Sequence, residues 1–261
     1  MTPTQTLRLV GVFLFLELTM NGREHGLSYI LMKDGLKADG CLICSLSVSG
    51  MRKNLFWFLY ENVNNTYIRK QLYESNGYCS THAWLLYQVE REEWNDGLDI
   101  AIIYKDLIKK ATQILEKANL HKRKTSIFDF VKKWQKWLNR RTDQEIMTSK
   151  PSCPACLHQQ EMEAIYISSL IESLALPKFQ DLYQASYGLC LDHFWKTMNA
   201  IQDEKIKTFL FDVQRSKMHK LLELLEEYIR KHDYRFINEP KGEEGNSPRW
   251  VVEMLVGKPM R

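Results

Sequence analysis

The sequence SNGYCSTHAW at residues 75–84 reappears as SYGLCLDHFW at residues 186–195. The two decapeptides share a serine, a glycine, a cysteine, a histidine and a tryptophan at equal offsets. Cysteine and tryptophan are rare residues, so chance does not readily give such a match. The chain therefore contains an internal duplication.

A cysteine pair precedes each copy of this decapeptide. The pair is CLIC at residues 41–44 and CPAC at residues 153–156. The next cysteine follows the pair after 35 positions in the first repeat and after 34 in the second. All six cysteines of the chain thus fall into two sets, each a C-x-x-C followed by a C-x-x-H.

This residue pattern is typical of zinc binding. Thiolates and imidazoles are preferred ligands of zinc, and a structural site takes four of them in a tetrahedron. The C-x-x-H residues lie three apart, on one face of a helical turn. We expect each repeat to supply one closed site, so that the chain binds two zinc ions. The predicted ligands are Cys41, Cys44, Cys79 and His82, and then Cys153, Cys156, Cys190 and His193.

Other uses of the cysteines fit less well. Disulfides would leave His82 and His193 unexplained, and they suit secreted proteins. A thioredoxin-like C-x-x-C expects a βαβ context, which the sequence lacks. An iron–sulfur cluster stays open as the alternative cofactor, because cysteines with an occasional histidine also hold such clusters.

The rest of the sequence predicts helices. Glycine and proline are scarce, 12 and 7 in 261 residues, which favours long helices over a many-turned β fold. Apolar residues at helical spacing predict a helix over 45–75 with a break near 64–65, and helices over 81–91 and 100–118. A further helix extends from the second cysteine pair to Pro177, and two more over 192–232 meet near Asp203. Gly77 and Gly188 are expected to adopt a left-handed turn before each C-x-x-H.

We therefore expect an all-α fold, in which duplicated zinc-knuckle and helical units form a helical bundle. The expected segments are an N-terminal extension at 1–22, a first repeat at 23–120, a basic helix and linker at 121–152, and a second repeat with C-terminal helices at 153–261. The apolar run LVGVFLFL at 9–16 is too short to span a bilayer and lacks the flanks of a signal peptide. A cytoplasmic protein without a transmembrane segment is expected.

The positive charge of the chain is concentrated in one segment. Residues 121–141 carry eight lysines or arginines and one aspartate, whereas the whole chain has a net charge of +4. Such a segment could bind nucleic acid or protein, or it could be a linker helix with solvated charges. The candidate partner-binding residues are Lys132, Lys133, Trp134, Lys136, Trp137, Arg140 and Arg141.

No enzyme motif accompanies the cysteines. The sequence has no P-loop, dinucleotide fingerprint, nucleophile elbow or H-E-x-x-H. We therefore predict no catalytic residue and expect an interaction or adaptor module that binds protein or nucleic acid. The alternatives are a thiol-redox or iron–sulfur sensor, and an enzyme with a site near His232, where Asp233, Arg235 and Glu239 also lie.

Four stretches of the chain resemble a known family. They are NGYCSTHAW, DIAIIYKDLI, GLCLDH and LLEEYIRKHDYRFINEPKGEE. They are similar to a prokaryotic family catalogued as domain of unknown function number 6062. The resemblance covers about residues 28–257 and includes all four cysteine motifs. It implies a helical cytoplasmic protein and brings no activity, substrate or catalytic residue with it.

Overall fold

A computed structural model describes residues 26–121, 153–236 and 238–260. Within these ranges the chain is helical and contains no strand, which confirms the all-α prediction. A π-helical turn, Phe58–Asn62, and a 3₁₀ turn, Glu243–Asn246, supplement the α-helices. The α-helices are α1 Leu27–Gly35, α2 Leu42–Trp57, α3 Thr66–Glu74, α4 Ser80–Glu93, α5 Leu98–His121, α6 Pro154–Leu174, α7 Pro177–Ala185, α8 Leu191–Ala200, α9 Glu204–Arg230 and α10 Ser247–Val256.

Polar caps produce the two predicted helix breaks. The Asn65 side chain accepts hydrogen bonds from the amides of Tyr67 and Ile68 at 3.1 and 3.3 Å, and α3 begins there. Asp203 caps α9 in the same way. These contacts satisfy amides that have no partner in the first turn of a helix. The breaks near 64–65 and 203 are confirmed.

Two short helices were not predicted. Helix α1 precedes the first cysteine pair, and α7 follows Pro177. Pro177 is the first residue of α7, where its fixed φ suits the helix and its missing amide costs nothing. A proline that was expected to end a helix therefore begins one.

Gly77 and Gly188 have the left-handed conformation that the sequence predicts. Their φ angles are +87° and +93°. The Gly77 amide donates to the carbonyl of Leu72 at 2.7 Å and so closes the end of α3. In each repeat the turn brings the chain, two residues later, to the cysteine that begins the next helix.

The chain divides into two compact units that do not follow its order. Unit one contains residues 26–49 and 161–259, and unit two contains residues 50–121, 153–160 and 260. The boundaries fall inside α2 and inside α6. This division differs from the consecutive segments 23–120 and 153–261 that the sequence predicts, because each of these two helices begins in one unit and ends in the other.

Each unit has its own apolar core, and each core includes cysteines. In unit one, Cys41, Cys44 and Cys190 are buried with the core, and in unit two Cys153 is. The packing of the core therefore holds these side chains in place. Residues buried with them include Leu170, Leu174, Phe179, Tyr183 and Leu210 in unit one, and Leu55, Leu85, Leu86, Val89 and Ile103 in unit two.

Candidate metal centres

Four side chains converge in unit one to form site I, which consists of Cys41, Cys44, Cys190 and His193. The His193 Nδ1 atom lies 3.5, 3.3 and 3.2 Å from the sulfurs of Cys41, Cys44 and Cys190. The sulfurs of Cys44 and Cys190 are 3.7 Å apart. All four residues are buried.

Unit two contains the corresponding site II, which consists of Cys79, His82, Cys153 and Cys156. The His82 Nδ1 atom lies 3.2, 3.8 and 3.4 Å from the sulfurs of Cys79, Cys153 and Cys156. The sulfurs of Cys79 and Cys156 are 3.6 Å apart. Cys153 and His82 are buried, whereas Cys79 and Cys156 are half-buried.

The structure brings together all eight predicted ligands, but it exchanges them between the repeats. The C-x-x-C of the first repeat meets the C-x-x-H of the second in site I, and the reverse holds in site II. The expectation that each repeat closes its own site is therefore corrected.

The paths of two long helices explain the exchange. Helix α2 begins in unit one and ends in unit two, whereas α6 begins in unit two and ends in unit one. Each helix therefore carries the chain from its own C-x-x-C into the unit that contains the other C-x-x-C. The C-x-x-H that follows the helix lies in that unit.

All four motifs lie at the start of a helix. Cys41, Cys79, Cys153 and Cys190 each precede the first helical residue, and their carbonyls accept the first helical hydrogen bond at 2.8–3.1 Å. The second ligand of each motif follows in the first turn. The helical start at each C-x-x-C is a finding of the structure. Each site therefore lies at two helix N-termini, whose partial positive charge stabilises thiolates.

The ligand distances match those around a single zinc ion. Zinc–sulfur bonds of about 2.3 Å and zinc–nitrogen bonds of about 2.0–2.1 Å, set at tetrahedral angles, place sulfurs about 3.8 Å apart and sulfur about 3.6 Å from nitrogen. The observed separations are 3.6–3.7 Å and 3.2–3.8 Å. Both sites thus have the size and the donor atoms that a tetrahedral metal ion requires.

The pKa values of the thiols are shifted apart within each site. Burial raises the pKa of Cys41, whereas hydrogen bonds from Cys41 and Cys44 lower the pKa of Cys190. In site II burial raises the pKa of Cys156 to about 12. Crowded thiols cannot all lose their protons unless a cation compensates the charge. A divalent metal ion would supply that charge in each site.

Site I has additional contacts around its ligands. The Glu163 Oε2 atom lies 3.8 Å from Nε2 of His193, and the same carboxylate pairs with Lys196 at 3.2 Å. The backbone amide of Lys258 points to the Cys44 sulfur at 3.5 Å. A Cβ added to Gly257 would lie 3.2 Å from that sulfur and 3.5 Å from the sulfur of Cys190. Residues 257–258 therefore cover site I closely. Sequence patterns did not reveal these residues, because they lie outside the cysteine motifs.

The predicted partner-binding residues lie outside the described part of the chain. These residues, all in the basic segment, are Lys132, Lys133, Trp134, Lys136, Trp137, Arg140 and Arg141. The predicted extension at 1–22 also lies outside the described residues.

The cluster near His232 is described and lies at the surface. The His232 Nδ1 atom donates to the carbonyl of Tyr228 at 2.7 Å. Asp233 pairs with Arg235, and Glu239 pairs with Arg230. These groups bind one another as surface ion pairs, so the structure gives no support to an acid–base site there.

The structure also contains an apolar groove that the sequence did not predict. It has a volume of about 630 Å³ and lies between α8, α9 and α10 in unit one. Its lining includes Trp195, Phe211, Leu222 and Leu255, whose side chains are large, apolar and about half exposed. Trp195 follows the site I ligand His193 by two positions. The groove therefore includes the helix that site I holds.

No helix in the described part of the chain combines the length and the apolar composition that a membrane-crossing helix needs.

Comparisons with known proteins place the chain in a family. It is 29% identical over 208 residues to an "Uncharacterized 23.9 kDa protein in xynA 3'region" of Caldicellulosiruptor sp. (strain Rt8B.4), an alignment that covers 79% of this chain and 89% of that protein. No solved structure matches the chain significantly. A model of the family of unknown function DUF6062 matches residues 25–259. The chain, with its two clusters of three cysteines and one histidine, therefore belongs to the family of unknown function DUF6062.

Proposed function

We propose that sites I and II each bind one structural zinc ion and that the protein is a zinc-stabilised interaction module. The observation that carries this proposal is the completeness of each cluster. Four protein atoms lie within 4.8 Å of one another in both sites. A tetrahedral ion with four protein ligands has no open position for water or substrate, which is the property of structural sites.

The same distances favour one ion over an iron–sulfur cluster. In a cluster the ligands bind different iron atoms, so the ligand sulfurs must spread around several metals. Here all four ligand atoms of each site lie within 4.8 Å of one another, as around one ion. We therefore favour zinc over the cluster alternative.

Metal analysis tests this proposal. Protein purified without added metal or chelator should contain two zinc ions per chain and show no visible absorption. Since the ligands order in the folded state, removal of zinc by a chelator should reduce helical circular dichroism, and added zinc should restore it. Iron with visible absorption would overturn the zinc assignment, and a metal-free protein that keeps its full helical signal would overturn the structural role.

The interaction role has two supports of different kinds. The groove along α8–α10 exposes aromatic and aliphatic side chains, which are enriched at protein interfaces. The basic segment 121–141 has the charge that phosphate binding requires. The groove favours a protein partner, whereas the basic segment favours a nucleic acid.

Two measurements separate these partners. A partner protein that crosslinks to the chain through the groove should no longer crosslink to a Leu222→Asp variant. A Leu115→Asp variant should still crosslink, since Leu115 is an exposed leucine that lies in unit two. Binding of labelled DNA and RNA should weaken with salt if the basic segment binds phosphates. DNA or RNA binding that does not change with salt would exclude the electrostatic interaction.

The free thiols also fit the expected cellular location. None of the six cysteines forms a disulfide. Thiolate clusters of this kind are stable in a reducing compartment, so we propose a cytoplasmic protein. Fractionation of cells that express the full chain would test this location.

A further inference from the structure

The two metal centres differ in their exposure to solvent. In site I the exposed fractions are 1% for Cys41, 7% for Cys44, 1% for Cys190 and 5% for His193. In site II the sulfur ligands Cys79 and Cys156 are only half-buried. An oxidant or a competing ligand in solution can therefore approach site II more easily than site I.

The residues around the ligands also cover and support site I more than site II. At site I, Glu163 lies behind His193, and residues 257–258 cover the sulfurs of Cys44 and Cys190. At site II, no carboxylate of the described residues pairs with His82, although Nε2 of both histidines is buried without a hydrogen bond. Groups behind a metal-binding histidine fix its orientation and strengthen binding. Site I is thus the better supported site.

The two half-buried cysteines of site II also have adjacent sulfurs. The sulfurs of Cys79 and Cys156 lie 3.6 Å apart and belong to the starts of different helices, α4 and α6. A disulfide requires the sulfurs to approach to about 2.05 Å, so closure needs a movement of about 1.6 Å. The comparable pair in site I, Cys44 and Cys190, is buried beneath residues 257–258.

We propose that site II is an oxidant-sensitive metal site, in which hydrogen peroxide joins Cys79 to Cys156 and releases the ion while site I keeps its own. This inference rests on the proposed metal occupancy of both sites. It assigns the two centres of one protein different roles, with site I a permanent part of the fold and site II a reversible one.

The disulfide forms in two displacement steps. One thiolate attacks the O–O bond of peroxide, which gives a sulfenic acid and a hydroxide ion. The second thiolate attacks the sulfenic sulfur, forms the disulfide and displaces a second hydroxide. Peroxide gains the two electrons that the two thiolates lose. The ion then keeps only Cys153 and His82 as ligands and dissociates.

The experiment treats the full-length, zinc-loaded protein with increasing hydrogen peroxide. Released zinc is measured with a chromophoric chelator, and disulfides are located by peptide mass spectrometry. We expect one zinc ion per chain to appear at least tenfold faster than the second, together with a Cys79–Cys156 linkage. A thiol reductant with added zinc should restore two ions per chain.

Other outcomes overturn the inference in ways that can be distinguished. Metal content is measured first, and a protein with no zinc at either site would refute the proposed function itself. Two bound zinc ions that leave at equal rates would refute only the difference between the sites. A first disulfide that involves Cys41, Cys44 or Cys190 would reverse the assignment. Retention of both ions at peroxide concentrations that oxidise free thiols would show that neither site is a switch.

Discussion

Glu163 is the only carboxylate that the described part of the chain places beside a metal-site histidine. Its Oε2 atom lies 3.8 Å from His193 Nε2, and its side chain is 12% exposed. Burial lowers the pKa of His193, but its interactions with the sulfurs of Cys190 and Cys44 and with the Glu163 carboxylate raise it to about 11. A carboxylate on the Nε2 side of the ring favours the orientation in which Nδ1 faces the sulfurs.

A Glu163→Gln substitution should therefore weaken zinc binding at site I. Loss of a partner behind a ligand typically reduces metal affinity about 10- to 100-fold. Competition with a chelator of known affinity would measure the change, with Glu161→Gln as the control, since Glu161 is exposed on the same helix α6. Equal affinity in both variants would show that Glu163 has no such role.

Gly257 provides a second test at the scale of one residue. Its φ of +80° with ψ of −179° is a conformation that essentially only glycine adopts, and a Cβ would crowd the Cys44 sulfur at 3.2 Å. Gly257→Ala should reduce stability by about 1–3 kcal/mol and speed zinc release from site I. Gly97→Ala is the matched control, because Gly97 also has a positive φ, +88°, but has open space around it. If both variants release zinc equally fast, crowding at the sulfur has no effect.

The starts of helices recur in this fold as the places where functional side chains lie. Four helices begin with a metal-ligand motif, whereas the start of α5 is capped by a side chain from another helix. The buried Glu90 side chain accepts hydrogen bonds from the amides of Asp99 and Ile100 at 2.7 and 3.0 Å. Glu90 belongs to α4, so it fixes the start of α5 against the helix that carries Cys79 and His82.

Replacing Glu90 with alanine should destabilise unit two, since two amides would lose their acceptor. The expected cost is about 1–3 kcal/mol, measured by urea unfolding of the zinc-loaded protein. Glu93→Ala is the control, because Glu93 is exposed near the end of the same helix. A cost for Glu90→Ala no larger than that of the control would contradict the capping role.

The sequence allowed most of the helical elements to be predicted, for identifiable reasons. Asn65 and Asp203 are side chains that cap helices, and Gly77 and Gly188 accept a left-handed turn, so local chemistry revealed these boundaries. The cap at α5 could not be predicted, because Glu90 reaches it across a turn. The contacts of Glu163 and residues 257–258 with site I depend on tertiary packing and leave no local pattern.

On the scale of the whole molecule, the order of the motifs does not give their pairing. Both repeats carry the same ligand types, so the sequence identifies all eight clustered residues but suggests a pairing within each repeat that the structure corrects. Helices α2 and α6 pass from one unit to the other and so determine the partners. The spacing of the motifs thus revealed which residue types form the sites. The fold is needed to say which four residues belong to each site.

Paired substitutions test the exchange directly in the full-length chain. Cys41→Ser with Cys190→Ser removes two ligands from site I alone, so one tightly bound zinc ion should remain. Cys41→Ser with Cys79→Ser removes one ligand from each site, so neither ion should resist a competing chelator. Mass spectrometry of the native protein would count the retained ions. The opposite pattern, with a tight ion only in the second variant, would restore the pairing within each repeat.

The exchanged pairing has a consequence for synthesis on the ribosome. Site II lies wholly between the two halves of site I in the chain, since Cys79 and Cys156 are 77 positions apart whereas Cys44 and Cys190 are 146 apart. At about 5–20 residues per second, Cys79 waits about 4–15 s for Cys156, whereas Cys44 waits about 7–30 s for Cys190. The nascent chain therefore completes the more exposed centre first. Cys41 and Cys44, which the finished molecule buries, remain without their partners longest during translation.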